Sequence, residues 1–176
     1  MSTGRLSFES HVFTESEAMT VLLDDAPSVR HALFVIGVPK GFIGRRYAAD
    51  PGVTPLVREG SDPLLRFGSC GLADAMCVDL VTEHVVEIIN AARSAPLFVN
   101  TSIEQFTQTV KALVDRFLYY GHEATGDEMD IVAGELLNVI RSIDPEAAVP
   151  DRYWSTFVDD VQIGDLSTEA ILAIGK

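Results

Sequence analysis

The feature that most constrains the fold is a change in hydrophobic period at Asn100. Before this residue, short apolar runs bounded by glycine, proline and polar residues predict β-strands. After it, apolar residues recur every three or four positions, which predicts helices. Strands followed by helices, rather than strands alternating with helices, are typical of an α+β domain. We therefore predict a mainly antiparallel sheet covered by helices, and a doubly wound parallel sheet is the alternative.

Five apolar runs before Asn100 are predicted as strands, and they cover residues 31–36, 64–67, 75–80, 84–89 and 96–99. The three residues between the third and fourth runs suit a hairpin connection, so this part of the chain is expected to be an antiparallel meander. The segment 37–62, between the first two runs, contains three prolines and five glycines. We predict that this segment is irregular and holds at most one short strand.

The main helix is predicted to begin at a capping box formed by Thr101 and Glu104. Its apolar face is made of residues spaced three or four positions apart: Ile103, Phe106, Val110, Leu113 and Phe117. A second helix is predicted over residues 127–143, because apolar positions recur at helical spacing until Asp144-Pro145 stops the pattern.

Shorter helices are predicted at both ends of the chain. Thr14 and Glu17 form the pattern of a capping box before a short apolar run. A final helix is expected to enter at Pro150 and to run through Val161, where apolar residues again have helical spacing from Tyr153 onward. The tail from Ile163 is expected to pack at least through Ile174, since its apolar side chains would otherwise be exposed.

Length and composition predict a soluble globular protein with one domain, spanning residues 1–176. Of the 176 residues, 47% are hydrophobic and 22% are charged, which is the average for such proteins. The longest apolar run is far shorter than the roughly 18 residues of a membrane-spanning helix. Residues 1–13 lack the apolar core of a secretory signal, so we expect a cytoplasmic location.

The charge of the chain is strongly acidic, with 13 lysines and arginines against 26 aspartates and glutamates. A net charge of −13 argues against nucleic acid or anionic lipid as a partner and is compatible with a basic protein. Between residues 122 and 169, twelve acidic residues stand against two arginines. The predicted partner-binding residues are therefore carboxylates of this region: Asp127, Glu128, Asp130, Asp151, Asp159 and Asp160. The alternative is that these charges only keep the protein soluble and cap its helices.

Motifs for catalysis or metal binding are missing from the sequence. There is no Gly-x-Ser-x-Gly elbow, no phosphate-binding glycine loop and no pair of histidines at metal-ligand spacing. We predict neither a cofactor nor a metal, and we interpret Cys70 and Cys77 as reduced thiols. An enzyme hypothesis remains, in which Cys70 or Cys77 acts together with His84.

Three segments, in their order along the chain, resemble the fourth immunity branch of the SUKH superfamily. They are Phe-Val-Ile-Gly-Val-Pro at 34–39, Ala-Met-Cys-Val-Asp-Leu at 75–80 with Val-Val-Glu-Ile at 85–88, and Leu-Phe-Val-Asn-Thr-Ser-Ile-Glu-Gln-Phe at 97–106. The resemblance covers about residues 32–117. Asn100, Thr101 or Ser102 would cap the main helix, and Phe106 would be its first core residue.

The resemblance implies a SUKH-like fold and a bacterial immunity protein. Such a protein stays in the cytoplasm and neutralises a cognate toxin, commonly a nuclease or a nucleic-acid deaminase, by binding it without catalysis. An acidic surface suits this role, because a toxin that grips nucleic acid offers a basic cleft. The alternative is a regulatory or scaffold module that uses the same fold to bind a cellular protein.

Overall fold

The computed structural model describes residues 7–58, 62–89, 95–121 and 123–166. The strands in these ranges are β1 Ser10–His11, β2 Val38–Pro39, β3 Gly41–Phe42, β4 Tyr47–Leu56, β5 Leu64–Cys70, β6 Asp74–Asp79, β7 Val85–Ile88 and β8 Leu97–Asn100. The α-helices are α1 Glu17–Leu22, α2 Pro27–His31, α3 Ile103–Asp115, α4 Gly126–Ile143 and α5 Tyr153–Gln162.

The main sheet has six strands in the order β3-β4-β5-β6-β7-β8, and every neighbouring pair is antiparallel. β1 and β2 form a separate two-stranded ladder. Aromatic side chains from the sheet and the helices meet in one core, where Phe67, Phe106 and Trp154 are fully buried. The predicted α+β fold with an antiparallel meander is thus confirmed, and the doubly wound alternative is wrong.

Residues 31–36 are helical, so the prediction of a strand there is wrong. Pro27 occupies the first turn of α2, and the chain continues from His31 into a π-helical turn over Ala32–Ile36. A six-residue apolar run fits a strand and a buried helical turn equally well, so the period alone does not separate them. The preceding proline was the signal for a helix start.

The segment 37–62 contains a ten-residue strand, β4, where an irregular stretch was predicted. β3 pairs only with the first two residues of β4, so among the described residues the stretch from Asp50 to Leu56 has a partner strand on the β5 side alone. Pro51 and Pro55 therefore lie on an edge strand, which is where sheets tolerate proline. The pairing of β4 with β5 also shifts in register between Ala49 and Thr54, and such an irregularity accommodates the proline and glycine at positions 51 and 52.

Gly68 lies inside β5, so the predicted strand over residues 64–67 is too short. The register of β5 with β6 shifts between Arg66 and Gly68. A Cβ atom at position 68 would lie 2.8 Å from the backbone oxygen of Ala48 and even closer to the ring of Tyr47. Glycine is required here because the backbone of β4 approaches so closely.

Ser102, one of the three predicted caps, is the N-cap of α3, so the helix begins one residue later than a capping box of Thr101 and Glu104 predicts. The Ser102 hydroxyl accepts the backbone N–H of Gln105 at 3.2 Å. The N-cap of α1 is Ser16 and not Thr14. The predicted apolar face of α3 is buried throughout, and α4 and α5 confirm the two later helices. Of the tail, Leu166 is buried, and positions from 167 onward lie outside the described residues.

A buried polar cluster, formed by Asn100, Thr101, Asp144 and Trp154, joins β8 to the three long helices. The Asn100 amide donates to Asp144 Oδ2 at 2.9 Å, and the Trp154 indole N–H donates to Asn100 Oδ1 at 2.9 Å. The Thr101 backbone N–H also donates to Asp144 Oδ2, at 2.8 Å. Asn100 and Thr101 therefore hold the carboxylate that ends α4 instead of capping α3, and this cluster fixes the helices against the sheet.

Candidate partner-binding surface

The N-terminus of α4 carries three of the predicted partner-binding residues. Thr125 and Glu128 form a reciprocal capping box, in which the Thr125 N–H donates to Glu128 Oε2 at 2.8 Å and the Glu128 N–H donates to Thr125 Oγ1 at 3.3 Å. The hydrogen bond from the Thr125 backbone lowers the pKa of Glu128. Glu128 therefore stabilises the helix start and presents a charge that persists into acid.

Asp127 and Asp130 are exposed in the same turn, next to the end of α5. Gln162, the last residue of α5, donates its side-chain amide to Asp130 Oδ1 at 2.7 Å. Asp159 is exposed one turn before Gln162. The structure thus brings Asp127, Glu128 and Asp130 together and places Asp159 near them on the neighbouring helix.

The other two predicted residues do not join this group. Asp160 is half-buried and forms an ion pair with Arg46, which follows the 3-10 turn after β3, so its charge is used inside the fold. Asp151 is exposed just before α5, at a backbone φ of 62°. The ten residues of α5 span about 15 Å, which separates Asp151 from Gln162. Charge along the sequence could not distinguish these positions.

An open groove runs along α4, between this helix and residues 119–121 and 123–124. Its volume is about 690 Å³. Tyr119 and Tyr120 are buried beneath it and Val132 is half-buried, which gives the groove an apolar floor. The Tyr119 hydroxyl donates to the backbone oxygen of Leu113 at 3.1 Å, and this bond fixes the floor to the end of α3.

The rim of the groove is acidic. Glu123, Glu128 and Glu135 line it, and no lysine or arginine is among the described residues that do so. Ile131 projects beside them, with 62% of its surface exposed. Sequence reasoning counted Glu123 and Glu135 among the acidic residues without selecting them, and it missed Ile131. The available signal was an isoleucine that lies one helical turn from Glu128 and one turn from Glu135 in the predicted helix.

The two cysteines are free and buried, and they lie in different hydrophobic clusters. Cys70 lines a second cleft, of about 290 Å³, together with Arg46, Glu87 and Tyr153. Burial raises the pKa of Cys70 above the ordinary thiol range and that of Cys77 to about 12. Burial likewise raises the pKa of Glu87. Both thiols are therefore protonated at neutral pH and are poor nucleophiles.

Within the described ranges, no group of three or more His, Cys, Asp or Glu side chains is arranged to hold a metal ion. The described helices include none with the length and apolar character needed to cross a membrane.

Comparison with protein families matches residues 9–160 to the SUKH-4 immunity protein model. The chain belongs to the SUKH-4 immunity protein family. The match includes all three segments of the predicted resemblance and extends past them through α4 and most of α5. No curated protein and no solved structure matches this SUKH-4 protein. Membership of the family indicates a role in immunity to a toxin.

Proposed function

We propose that this SUKH-4 protein binds a cognate bacterial toxin and neutralises it by protein–protein contact alone. The observation that carries the proposal is the family match, which spans the sheet and nearly all of the helical layer. The contact surface proposed here is the exposed acidic end of the α4–α5 pair, which includes Asp127, Glu128 and Asp130.

The chemistry of this surface supports a toxin that acts on nucleic acid, such as a nuclease or a nucleic-acid deaminase. The cleft of such a toxin presents lysine and arginine side chains to phosphates. Carboxylates at the α4 N-terminus can occupy these positions and exclude the substrate, and opposite charges also speed the encounter. Nucleic acid itself is not a proposed ligand, because a net charge of −13 repels it.

The proposed inhibition needs no catalytic residue in the immunity protein. The raised pKa values of the two buried thiols weigh against the enzyme hypothesis built on Cys70 or Cys77 with His84. The His84 ring instead packs edge-on against Phe98, with the ring centroids 5.2 Å apart. The proposed location is the cytoplasm, because a toxin directed at nucleic acid must be met where that nucleic acid lies.

The test is co-expression and co-purification with the polypeptide encoded by the gene immediately upstream. We expect a complex that is tight at about 0.1 M salt and weaker at about 1 M salt, where charges are screened beyond about 3 Å. Cells that produce both proteins should survive a toxin that kills cells producing it alone. Absence of a complex at both salt concentrations, together with absence of protection, would disprove the proposal and favour a regulatory or scaffold role.

A matched pair of variants tests the acidic surface. The double variant Asp127→Asn, Asp130→Asn removes two charges and keeps an oxygen acceptor for Gln162. The double variant Asp24→Asn, Asp25→Asn removes the same charge from exposed residues between α1 and α2. We expect only the first pair to slow association and to reduce the effect of salt on it. Equal association rates for the two double variants would contradict this choice of surface.

A further inference from the structure

The groove along α4 is more than an acidic patch, because it combines depth, an apolar floor and an exposed anchor. We propose that the toxin docks in this groove through a surface segment that carries one apolar side chain flanked by lysine or arginine. This inference rests on the proposed function and specifies the interface. It identifies Ile131 and Glu135 as contact residues that the analysis of charge alone did not select.

Ile131 is the exposed apolar side chain of the groove. It lies on α4 one turn after Glu128 and one turn before Glu135, and 62% of its surface is exposed. A large aliphatic side chain exposed to this extent contributes little to the core. Beside Ile131, Tyr119 and Tyr120 form the floor, and the Tyr119 ring is held by its hydrogen bond to the Leu113 backbone. Apolar anchors that fill a pocket beside aromatic side chains dominate binding energy in protein interfaces.

The carboxylates determine what kind of segment can occupy the groove. Covering Glu128 and Glu135 with an apolar or acidic segment would remove their charges from water without a counter-charge, and this is unfavourable. None of the described lining residues is a lysine or arginine that could neutralise them from within the chain. An occupant that carries lysine or arginine supplies this counter-charge, which favours a basic partner over an acidic or neutral one.

A second exposed apolar site, at Val35 and Ile36, suits docking less well. The cavity beside it has a volume of only about 140 Å³, against about 690 Å³ for the groove. Its lining also includes His31, Glu83 and Glu104 around a small opening. The groove therefore offers about five times the room for a partner segment that this cavity offers.

The test uses two variants in the groove and two matched controls. Ile131→Asp removes the anchor, and Glu135→Arg reverses a charge on the rim. Val35→Asp makes the same kind of change at a residue that is 64% exposed, and Asp25→Arg reverses an exposed charge on a segment that does not line the groove. All four positions are exposed, so each variant should fold, and far-ultraviolet circular dichroism with the thermal midpoint verifies this.

The affinity of each purified variant is measured by titration against the upstream-encoded polypeptide. We expect Ile131→Asp to weaken binding by about thirtyfold or more, the loss typical of a central interface residue. Glu135→Arg should weaken binding roughly tenfold at low salt and less at high salt, because the contact is electrostatic. Both controls should bind like the unmodified protein.

Different results separate this inference from the proposed function. Tight binding by the unmodified protein and the controls, with weak binding by both groove variants, supports the groove. If the groove variants bind within about twofold of the unmodified protein, or if Val35→Asp alone loses binding, the toxin docks elsewhere and only this inference fails. If the unmodified protein itself does not bind, the proposed function fails and the inference fails with it.

Discussion

Replacement of Asn100 by alanine would remove the amide that links β8 to Asp144 and to Trp154. Asn100 is fully buried and makes hydrogen bonds of 2.9 Å to each of these residues. The variant leaves the Trp154 indole N–H without its acceptor and deprives the Asp144 carboxylate of one of its donors. Because a buried group that loses its partner costs about 1–3 kcal/mol, we expect the free energy of unfolding to fall by about 3 kcal/mol.

Urea unfolding measures this loss directly. The chain contains a single tryptophan, Trp154, which is fully buried, so its fluorescence follows the transition. With a slope of about 2 kcal/mol per molar urea, a loss of about 3 kcal/mol lowers the midpoint by about 1.5 M. Circular dichroism should give the same midpoint, which guards against a local change in the emission of the tryptophan.

The matched control is Asn138→Ala, the same substitution at an exposed position of α4. Asn138 only accepts a hydrogen bond from Arg141 at the surface, so its replacement should change the free energy of unfolding by less than about 0.5 kcal/mol. If Asn100→Ala unfolded at the same urea concentration as Asn138→Ala, the buried polar cluster would not be what fixes the helices. A cycle with Trp154→Phe, followed by circular dichroism because this variant has no tryptophan, then isolates the coupling between the two side chains.

Four further predictions concern single positions. Gly68→Ala should lower the free energy of unfolding by about 2 kcal/mol, because the new Cβ collides with the backbone of β4; an unchanged thermal midpoint would contradict this. Gly134→Ala should raise it by up to about 1 kcal/mol, since nothing lies within 4 Å of the added Cβ and alanine favours the helix. Cys70 and Cys77 should resist alkylation at about pH 8 in the folded protein and react rapidly in denaturant, as mass spectrometry would show. Because folding lowers the pKa of Glu128, its stabilising effect should be present above the ordinary carboxyl pKa and lost as the pH falls through the lowered value. Glu128→Gln should therefore have a lower thermal midpoint than the unmodified protein at neutral pH and the same midpoint in strong acid.

The helices after Asn100 could be predicted because each has a long apolar period and a clear stop. Asp144-Pro145 ended α4 where the sequence indicated. The part of the chain before Asn100 was harder to predict. The short, mainly apolar run at residues 31–36 suits a strand and a helical turn alike. The prolines of β4 resemble loop residues until the strand is known to lie on an edge. The cap of α3 moved by one residue because Thr101 has a distant partner, Asp144, that no local pattern reveals.

The candidate surface was only partly accessible from the sequence. Charge identified the turn of Asp127, Glu128 and Asp130, because neighbouring residues of a helix remain neighbours in the fold. Charge could not show that Asp160 forms an ion pair with Arg46, which belongs to a much earlier segment of the chain. The groove likewise depends on how the segment from Tyr119 packs against α4, and this is a property of tertiary structure.

The outer edge of β4 is open along residues 50–56 of the described sheet, so it could pair with a strand of another molecule. An open strand edge invites a neighbouring molecule to add its own strand, which is a common start of aggregation. Along Asp50–Leu56, a strand from a second molecule would find no backbone donor at Pro51 or at Pro55. Two positions on the one long edge of the described sheet therefore have no N–H to donate to an added strand, so this edge is a poorer template for intermolecular pairing than an edge without proline.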